Sequence, residues 1–250
     1  MTITITCTGN QHLGGQMHAL RFTKPPDFSF TPGQYLRLAV PAVHDGSDTE
    51  ARTFSIASSP DEDGLLFLVK NASTGRTGQW IEHVLRVGTS VAMQGPFGTF
   101  FVDESTPKAY LFIATGSGVA PFRSHIRSLL FKRRPNTINL LVGVRHEDDA
   151  LFLREFEDWQ RQHAHFSLHY TLSRPAAGWH GHAGRVQMIL PTVAPGLRHK
   201  SVYLSGHPSM VADVSEFCRR QGTPQADIHV EHEDAHESDV SLSVPPACRL

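Results

Sequence analysis

The first hundred residues alternate apolar and polar positions in short runs, and turn residues separate one run from the next. Alternation with a period of two predicts β-strands that each bury one face. One helix is predicted over residues 77–86, whose apolar positions fall on a single face. Strands are predicted over residues 2–8, 17–22, 35–40, 52–58, 65–70 and 90–94. Six short strands at this spacing predict an antiparallel six-stranded β-barrel.

From about residue 108 the pattern changes to apolar runs that alternate with amphipathic helical segments, the clearest over residues 121–133. Strands are predicted over residues 109–114, 138–144, 166–171, 202–205 and 227–231. This alternation predicts an α/β domain with a parallel five-stranded sheet. In the usual doubly wound strand order, 3-2-1-4-5, the loops after the first and fourth strands face one crevice. Those loops are residues 115–118 and 206–209.

A polar segment that ends in a proline, Glu104–Pro107, separates the two patterns. We therefore predict a β-barrel domain over residues 1–104 and an α/β domain over residues 105–233. A tail over residues 234–250 has no periodic apolar pattern, which is typical of a flexible segment.

The composition of the chain excludes several classes of function. Its 250 residues include 23 Lys and Arg against 24 Asp and Glu, so no basic field favours nucleic acid as a partner. Cys7, Cys218 and Cys248 are far apart, which excludes a cysteine-ligated cluster built by this chain alone. The apolar runs are far shorter than the ~20 residues that cross a bilayer. The N-terminus lacks the pattern of a secretory signal, so we expect a cytoplasmic protein without a membrane partner.

A turn with two glycines joins the first predicted strand of the α/β domain to its helix. In the segment Ala114–Pro121, Gly116 and Gly118 let the backbone approach a ligand closely. The free amides at the start of the helix favour an anionic group. The third glycine of the dinucleotide-binding fingerprint is absent, so a tight turn that binds no ligand is the alternative interpretation.

A second candidate site lies on the predicted strand 52–58 of the barrel. Arg52 and Phe54 share one face of an extended strand, and Ser55 points to the other. A phosphorylated planar ring system needs such groups: a guanidinium for phosphate, a flat ring for stacking and a small donor at the ring edge. The alternative is an exposed arginine beside a core phenylalanine.

Seven short motifs follow one another along the chain. They are Thr31–Tyr35, Arg52–Ser58, Gly95–Gly98, Thr115–Pro121, Gly143–Arg145, Ser173–Arg174 and Ser205–Met210. Their order resembles that in the ferredoxin–NADP reductase superfamily, and the resemblance covers residues 2–231.

The resemblance implies a barrel that binds FAD, or FMN in some members, followed by a domain that binds NADPH or NADH. It implies that hydride passes from nicotinamide to the flavin and that electrons pass on to a separate acceptor. The acceptor would be a ferredoxin, a flavodoxin or an oxygenase component. Ser55 and Ser205 would lie at the reacting rings as catalytic residues.

The resemblance also assigns residues to each part of the cofactors. The flavin and its phosphate would be bound by Arg52, Thr53, Phe54 and Ser55, and the pyrophosphate by Gly75, Arg76, Thr77 and Gly78. The nicotinamide would lie beside Thr115, Gly116, Ser117, Gly118 and Gly206, and the adenosine end beside Arg145, Ser173, Arg174 and Arg185.

The residues at the adenosine end bear on the choice of nicotinamide cofactor. Arg145 follows the second strand, where NAD-specific domains usually place an acid, and a cation there tolerates a 2'-phosphate. Ser173, Arg174 and Arg185 resemble a phosphate-binding set, which favours NADPH. Similar Ser-Arg pairs occur in members that use NADH, so both cofactors stay open.

Three positions depart from the family pattern. Phe54 stands where tyrosine is frequent, and Gly78 stands where serine or threonine is usual. Ser205 stands where ferredoxin reductases proper have cysteine. These departures favour the branches of oxygenase reductases and flavin reductases.

The sequence is also compatible with two other functions, and it contains one motif that resembles a zinc site. The first function is an NAD(P)H:flavin reductase that releases reduced free flavin; the second is a non-catalytic flavin subunit, against which the Gly116–Pro121 segment argues. The segment His232–His236 matches the H-E-x-x-H zinc pattern, but it has no apolar face to bury. We therefore predict no metal site.

Overall fold

The computed structural model of the protein describes residues 2–71 and 74–231. The predicted flexible tail and the H-E-x-x-H segment lie outside these residues. Contacts divide the described residues into two compact units: the first runs to Phe101 and includes Arg123–Ser128, and the second comprises Val102–Phe122 and residues 129–231. The domain bounds at residues 104 and 233 stay predictions.

The first unit contains an antiparallel sheet of six strands. They are β1 (Ile3–Gly14), β2 (Met17–Thr23), β3 (Tyr35–Pro41), β4 (Thr49–Ser55), β5 (Gly64–Lys70) and β6 (Ser90–Phe97). Their order is β4-β3-β6-β1-β2-β5. A bridge between Ile56 and Phe67, and a hydrogen bond from the Ala57 amide to the Leu66 carbonyl, join the two edge strands. The predicted six-stranded antiparallel barrel is confirmed.

Strand β1 is longer than predicted, because the polar residues after Thr8 pair with β2 although they bury no apolar face. Alternate apolar side chains of the other strands fill the barrel. Leu36 and Leu38 of β3, Phe54 of β4 and Phe67 of β5 belong to one buried cluster. The period-two pattern predicted these inward positions because successive strand residues point to opposite faces.

The predicted helix at residues 77–86 is present in two parts. Helix α1 (Arg76–Gln79) continues into a π-helical turn, Trp80–Val84, which ends where the Leu85 amide donates to the Trp80 carbonyl at 2.8 Å. Trp80 and Leu85 are fully buried in the barrel cluster. The side-chain amide of Asn10 donates to the carbonyls of Ile81 and Leu85 at 2.8 and 3.1 Å, so a side chain of β1 satisfies the end of the turn.

The second unit is a parallel sheet covered by helices. Its strands are β7 (Ala109–Thr115), β8 (Ile138–Val144), β9 (Phe166–Leu172), β10 (His182–Ala183), β11 (Lys200–Ser205) and β12 (Ile228–Val230). Its helices are α3 (Leu153–Gln162), α4 (Val186–Val193), α5 (Pro208–Arg220) and the two ends of α2 (Val119–Phe131), whose middle residues Arg123–Ser128 belong to the first unit. No helix in residues 2–71 and 74–231 is long and apolar enough to cross a membrane.

The strand order of the second unit is β10-β9-β8-β7-β11-β12. Its five longer strands therefore have the expected order 3-2-1-4-5. The predicted five-stranded sheet is wrong in one respect, because β10 adds a sixth parallel strand beside β9. β10 has two residues, which is too short to produce an alternating pattern in the sequence.

Candidate functional site

The first half of β4 and the start of α1 lie close together in the first unit. Arg52 of β4 forms an ion pair with Glu50, and its side chain is 37% exposed. Arg76 lies 3.2 Å from the same Glu50 carboxylate and donates to Asp48 Oδ2 at 2.8 Å. The hydrogen bond with Asp48 raises the pKa of Arg76 above its usual value. The structure thus brings together two arginines that the sequence assigned to phosphate binding.

The turn before α1 is the third part of this region. Gly75 is the N-cap residue of α1, and no side chain of the described residues caps the helix there. Gly78 is buried, Thr77 is half-buried, and Thr53 on β4 is exposed. Helix-start amides without a side-chain cap favour an anionic group. An anion that binds Arg52 and Arg76 must compete with the two carboxylates that already bind them.

The ring of Phe54 lies inside the barrel rather than on an open surface. It is 7% exposed, and its centroid is 6.1 Å from that of Phe67. This placement corresponds to the alternative interpretation, an arginine near the surface beside a core phenylalanine. Stacking of Phe54 on a flavin stays a prediction.

A different pair of aromatic rings lies on the outward face that carries Ser55. Tyr35 of β3 pairs with Ser55 of β4, and side chains of directly opposite residues share a face of the sheet. The rings of Tyr35 and Phe97 are 5.7 Å apart, and the guanidinium of Arg37 lies 4.9 Å from the Phe97 centroid. Neither Tyr35 nor Phe97 was predicted to have a role of its own. Their occurrence in the motifs Thr31–Tyr35 and Gly95–Gly98 was the signal available.

In the second unit, two glycine turns meet at the carboxyl ends of β7 and β11. The His207 amide donates to Thr115 Oγ1 at 2.9 Å. A Cβ added to Gly118 would lie 2.6 Å from the Gly206 nitrogen, and one added to Gly206 would lie 2.3 Å from Thr115 Oγ1. Only glycine therefore permits this close approach. The structure brings the two predicted loops together.

The surface of this crevice is open at its first turn. Gly116 has φ +56°, and a Cβ added there would meet nothing within 4 Å. Ser117 is exposed. Ser205, in contrast, is 1% exposed, and its hydroxyl donates to the carboxylate of Glu231. Glu231 was not predicted as a site residue; its position at the end of the predicted strand 227–231 was the signal available.

Arg145, Ser173 and Arg174 of the predicted adenosine end lie together at the carboxyl ends of β8 and β9, and Arg185 follows β10. The Arg174 amide donates to the Arg145 carbonyl at 2.9 Å, and the Ser173 amide donates to the Val144 carbonyl at 3.0 Å. Arg185 is the N-cap residue of α4. Arg145, Arg174 and Arg185 are exposed, and within the described residues none of them has an ion-pair partner. Such unpaired guanidiniums suit a doubly charged phosphate.

Two other features carry no assignment. Residues 2–71 and 74–231 contain no group of three or more side chains placed to hold a metal ion. A cavity of 350 Å³ in the first unit is lined by Arg21, Ser58, Glu62 and Arg127 among others. None of the residues predicted to bind a cofactor lines this cavity.

Comparison with known families matches both parts of the chain. Residues 5–102 match the family described as the Oxidoreductase FAD-binding domain. Residues 112–216 match the family described as the Oxidoreductase NAD-binding domain.

Two curated relatives cover most of the chain. The ferredoxin–NADP reductase B of Sorangium cellulosum is 33% identical over 214 residues, which are 83% of this chain and 86% of that protein. The toluate 1,2-dioxygenase electron transfer component of Pseudomonas putida is 29% identical over 81% of this chain, and this chain spans 58% of its length.

Solved structures show the same fold. A cytochrome P450 reductase of Amycolatopsis superposes with a TM-score of 0.83 at 24% identity, covering 92% of this chain and 69% of that one. A ferredoxin–NADP⁺ reductase of Neisseria gonorrhoeae, solved with bound FAD and NADP, superposes with a TM-score of 0.79 at 19% identity. That match covers 92% of this chain and 97% of the other.

Proposed function

The chain belongs to the ferredoxin–NADP reductase superfamily, and from this premise we propose that it is a flavin-dependent NAD(P)H oxidoreductase. It passes a hydride from NAD(P)H to bound FAD and passes electrons onward to a separate acceptor protein. One observation carries the proposal. A single chain provides both a barrel, in which Arg52 of β4 and Arg76 of α1 bind one carboxylate, and a parallel sheet with a tight glycine turn and exposed arginines that lack an ion-pair partner in the described residues.

The residues of the first unit suit a flavin. When bound, FAD accepts a hydride at its ring and releases electrons singly or in pairs. Arg52 would bind a phosphate of the flavin in place of Glu50, and Arg76 would bind its pyrophosphate in place of Asp48 and Glu50, with added hydrogen bonds from the amides after Gly75.

The outward face of β4 orients the flavin ring. Ser55 would hydrogen-bond at the edge of the ring, and the neighbouring Tyr35 and Phe97 would exclude water beside it. These residues bind and orient the cofactor; none of them needs to change its own charge during the reaction.

The residues of the second unit suit a dinucleotide. The open surface at Gly116 and the contact between Gly118 and Gly206 leave space for a flat nicotinamide against the backbone. Ser205 is held by Glu231, so its proton stays on the hydroxyl that donates to that carboxylate. A catalytic role for Ser205 at the nicotinamide stays a prediction, and the hydroxyl that would take this role is buried against Glu231.

The adenosine end supports NADPH as the preferred cofactor. Arg145, Arg174 and Arg185 place three positive charges at one edge of the sheet. NADH lacks the 2'-phosphate that these charges would bind. We therefore propose NADPH as the better substrate, with NADH used less well.

The direct test uses the purified full chain. Bound FAD is identified after denaturation, and the absorbance at about 450 nm is followed while NADPH is added in the absence of oxygen. The proposal predicts bleaching that ferredoxin, flavodoxin or an oxygenase component then reverses. A protein that neither binds flavin nor oxidises NAD(P)H would contradict it.

A second function, reduction of flavin as a diffusing substrate, is favoured by one observation. Asp48 and Glu50 compete with phosphate for Arg52 and Arg76, and Phe54 has no hydroxyl to bind the flavin. Retention of flavin through gel filtration distinguishes the two functions. If competition limits retention, Glu50→Gln will retain more flavin than the wild type, by up to about fivefold for a partly exposed pair.

The partner and compartment complete the proposal. The two curated relatives are named as a ferredoxin–NADP reductase and an electron transfer component of a dioxygenase. We propose a redox protein of the same kinds as the acceptor. We also place the reaction in the cytoplasm, which the buried free thiols of Cys7 and Cys218 support.

A further inference from the structure

Two buried carbonyl groups directly after β4 are bound by side chains of α2. Strand β4 ends at Ser55. Nη1 of Arg123 donates to the Ala57 carbonyl at 2.8 Å, and Oγ of Ser124 donates to the Ser58 carbonyl at 2.7 Å. Buried carbonyls left without a donor are costly, so these contacts restrict the path of the backbone that leaves Ser55.

The guanidinium that binds Ala57 is itself held by a carboxylate. Nη1 and Nη2 of Arg123 donate to Oε2 and Oε1 of Glu62, each at 2.9 Å. The two side chains are 5% and 20% exposed. Burial opposes ionisation of Glu62, but the hydrogen bonds and charge of Arg123, with the charge of Arg127, lower the pKa of Glu62 below its usual value. The pair is therefore ionised at neutral pH.

Glu62 also organises the loop that follows β4. Its Oε2 accepts a hydrogen bond from the Ser59 amide at 2.6 Å. The hydroxyl of Ser58 accepts one from the Leu66 amide at 3.1 Å. The carboxylate of Glu62 thus connects Arg123 to the loop that follows β4.

A second ion pair lies on the outer side of the same loop. Nη2 of Arg127 donates to Asp61 at 2.9 Å, and the Arg127 side chain is 34% exposed. Lys24 donates to the carbonyls of Pro60 and Glu62. Neither Asp61 nor Lys24 contacts the Ala57 and Ser58 carbonyls, so this outer pair provides a matched control.

We propose that Arg123 and Glu62 are positioning residues for flavin reduction, which hold the backbone from Ser55 to Ser58 so that the Ser55 hydroxyl meets the flavin ring in the reactive geometry. The inference rests on the proposed function, because it assumes that flavin binds beside Ser55 of β4.

The chemistry of the pair favours positioning over simple stabilisation. A buried ion pair adds little stability over apolar residues of similar volume, because both ions lose their hydration. A bidentate guanidinium fork, in contrast, fixes direction as well as distance. A displacement of about 1 Å at a reacting group slows a reaction by as much as about a hundredfold.

The experiment compares Glu62→Gln with Asp61→Asn, two carboxylate-to-amide changes on one loop. Each holoenzyme is mixed with NADPH in a stopped-flow instrument, which gives the limiting rate of flavin bleaching and the Kd for NADPH. Glu62→Gln is expected to lower the limiting rate by about tenfold or more and to change Kd by less than about twofold. Asp61→Asn is expected to leave both within about twofold of the wild type.

A second readout separates positioning from lost stability. The midpoint potential and visible spectrum of the bound flavin should change in Glu62→Gln at full flavin content, and stay unchanged in Asp61→Asn. A wild-type limiting rate in Glu62→Gln, or a loss fully explained by lost flavin, would overturn the inference. If Glu62→Gln does not fold, Ser124→Ala decides: a slower limiting rate supports the inference, and a wild-type rate overturns it.

The experiment distinguishes failure of the proposed function from failure of the positioning role of Arg123 and Glu62. A wild-type protein that NAD(P)H does not reduce contradicts the proposed function, and this inference with it. A wild-type protein that is reduced, beside a Glu62→Gln variant reduced equally fast, contradicts this inference alone.

Discussion

Among single residues, the arginines differ in what neutralises their charge. Arg123 is held by Glu62 and is almost fully buried, whereas Arg145, Arg174 and Arg185 are exposed without an ion-pair partner in the described residues. A guanidinium that already binds a carboxylate shapes the protein. One without such a partner is available to an anionic ligand. The second group is therefore where cofactor preference is decided.

The preference for NADPH can be tested at two of these arginines. Arg145→Ala and Arg174→Ala are each expected to weaken NADPH binding by about tenfold to a hundredfold, since a charge-assisted hydrogen bond contributes about 1.5–3 kcal/mol. NADH binding should change by less than about twofold. Titration of each cofactor gives the two Kd values.

The control for this test is Arg220→Ala, which removes an exposed arginine at the last turn of α5. It should leave both Kd values unchanged. If Arg145→Ala and Arg174→Ala weaken NADPH and NADH equally, no 2'-phosphate site lies at these residues.

At the scale of elements, the contact between the turns after β7 and β11 depends on a missing side chain. Gly118→Ala would place a Cβ 2.6 Å from the backbone of Ser205 and Gly206, so one turn must move. The expected loss of stability is about 1–3 kcal/mol, with weaker NADPH binding. Urea unfolding and cofactor titration measure the two effects.

The matched control is Gly46→Ala, because a Cβ added to Gly46 would meet nothing within 4 Å and its φ is not positive. That change should alter stability by less than about 0.5 kcal/mol. Equal stability of the two variants would mean that the turns after β7 and β11 do not need their close approach.

Most of the strands could be predicted from the sequence, but two short elements could not. Barrel strands and sheet strands of six or more residues bury alternate or continuous apolar positions, so their patterns located them. The sixth parallel strand, His182–Ala183, escaped because two residues carry no pattern. The π-helical turn at Trp80–Val84 also escaped, since packing of Trp80 in the barrel and the amide of Asn10 fix that shape.

Some features of the candidate site could be predicted from the sequence, and others could not. The order of parallel strands predicted that the turns after β7 and β11 lie side by side, and the family resemblance grouped Arg145 with Arg174. Burial could not be predicted in the same way. Phe54 is in the core, and Ser205 is bound by Glu231 across two strands; such long-range contacts leave no local signal.

For the whole molecule, partly buried titratable groups in both units connect stability to pH. Burial lowers the pKa of His18, His169 and His229 below the usual value, and the pKa of Glu62 is lowered by its arginine partners against the effect of burial. For each of these groups the unfolded chain binds more protons than the folded chain as the pH falls. All four therefore stabilise the fold above their unfolded pKa values.

Stability is therefore expected to decrease on acidification. The loss from the histidines begins below about pH 6.5, and the loss from Glu62 follows at lower pH, near and below about pH 4.5. Urea midpoints measured between about pH 8 and about pH 5 test the histidine part. His169→Gln should show a weaker dependence in that range. Midpoints that stay constant or rise as the pH falls would contradict this assignment.

The central claim is that this chain transfers a hydride from a nicotinamide to its flavin. The most direct measurement is anaerobic stopped-flow reduction of the purified holoenzyme by NADPH that carries deuterium at one or the other face of nicotinamide C4. The account predicts that the limiting rate of flavin bleaching falls for one labelled face and is unchanged for the other. Absence of bleaching, or bleaching that is insensitive to deuterium at both faces, would contradict it.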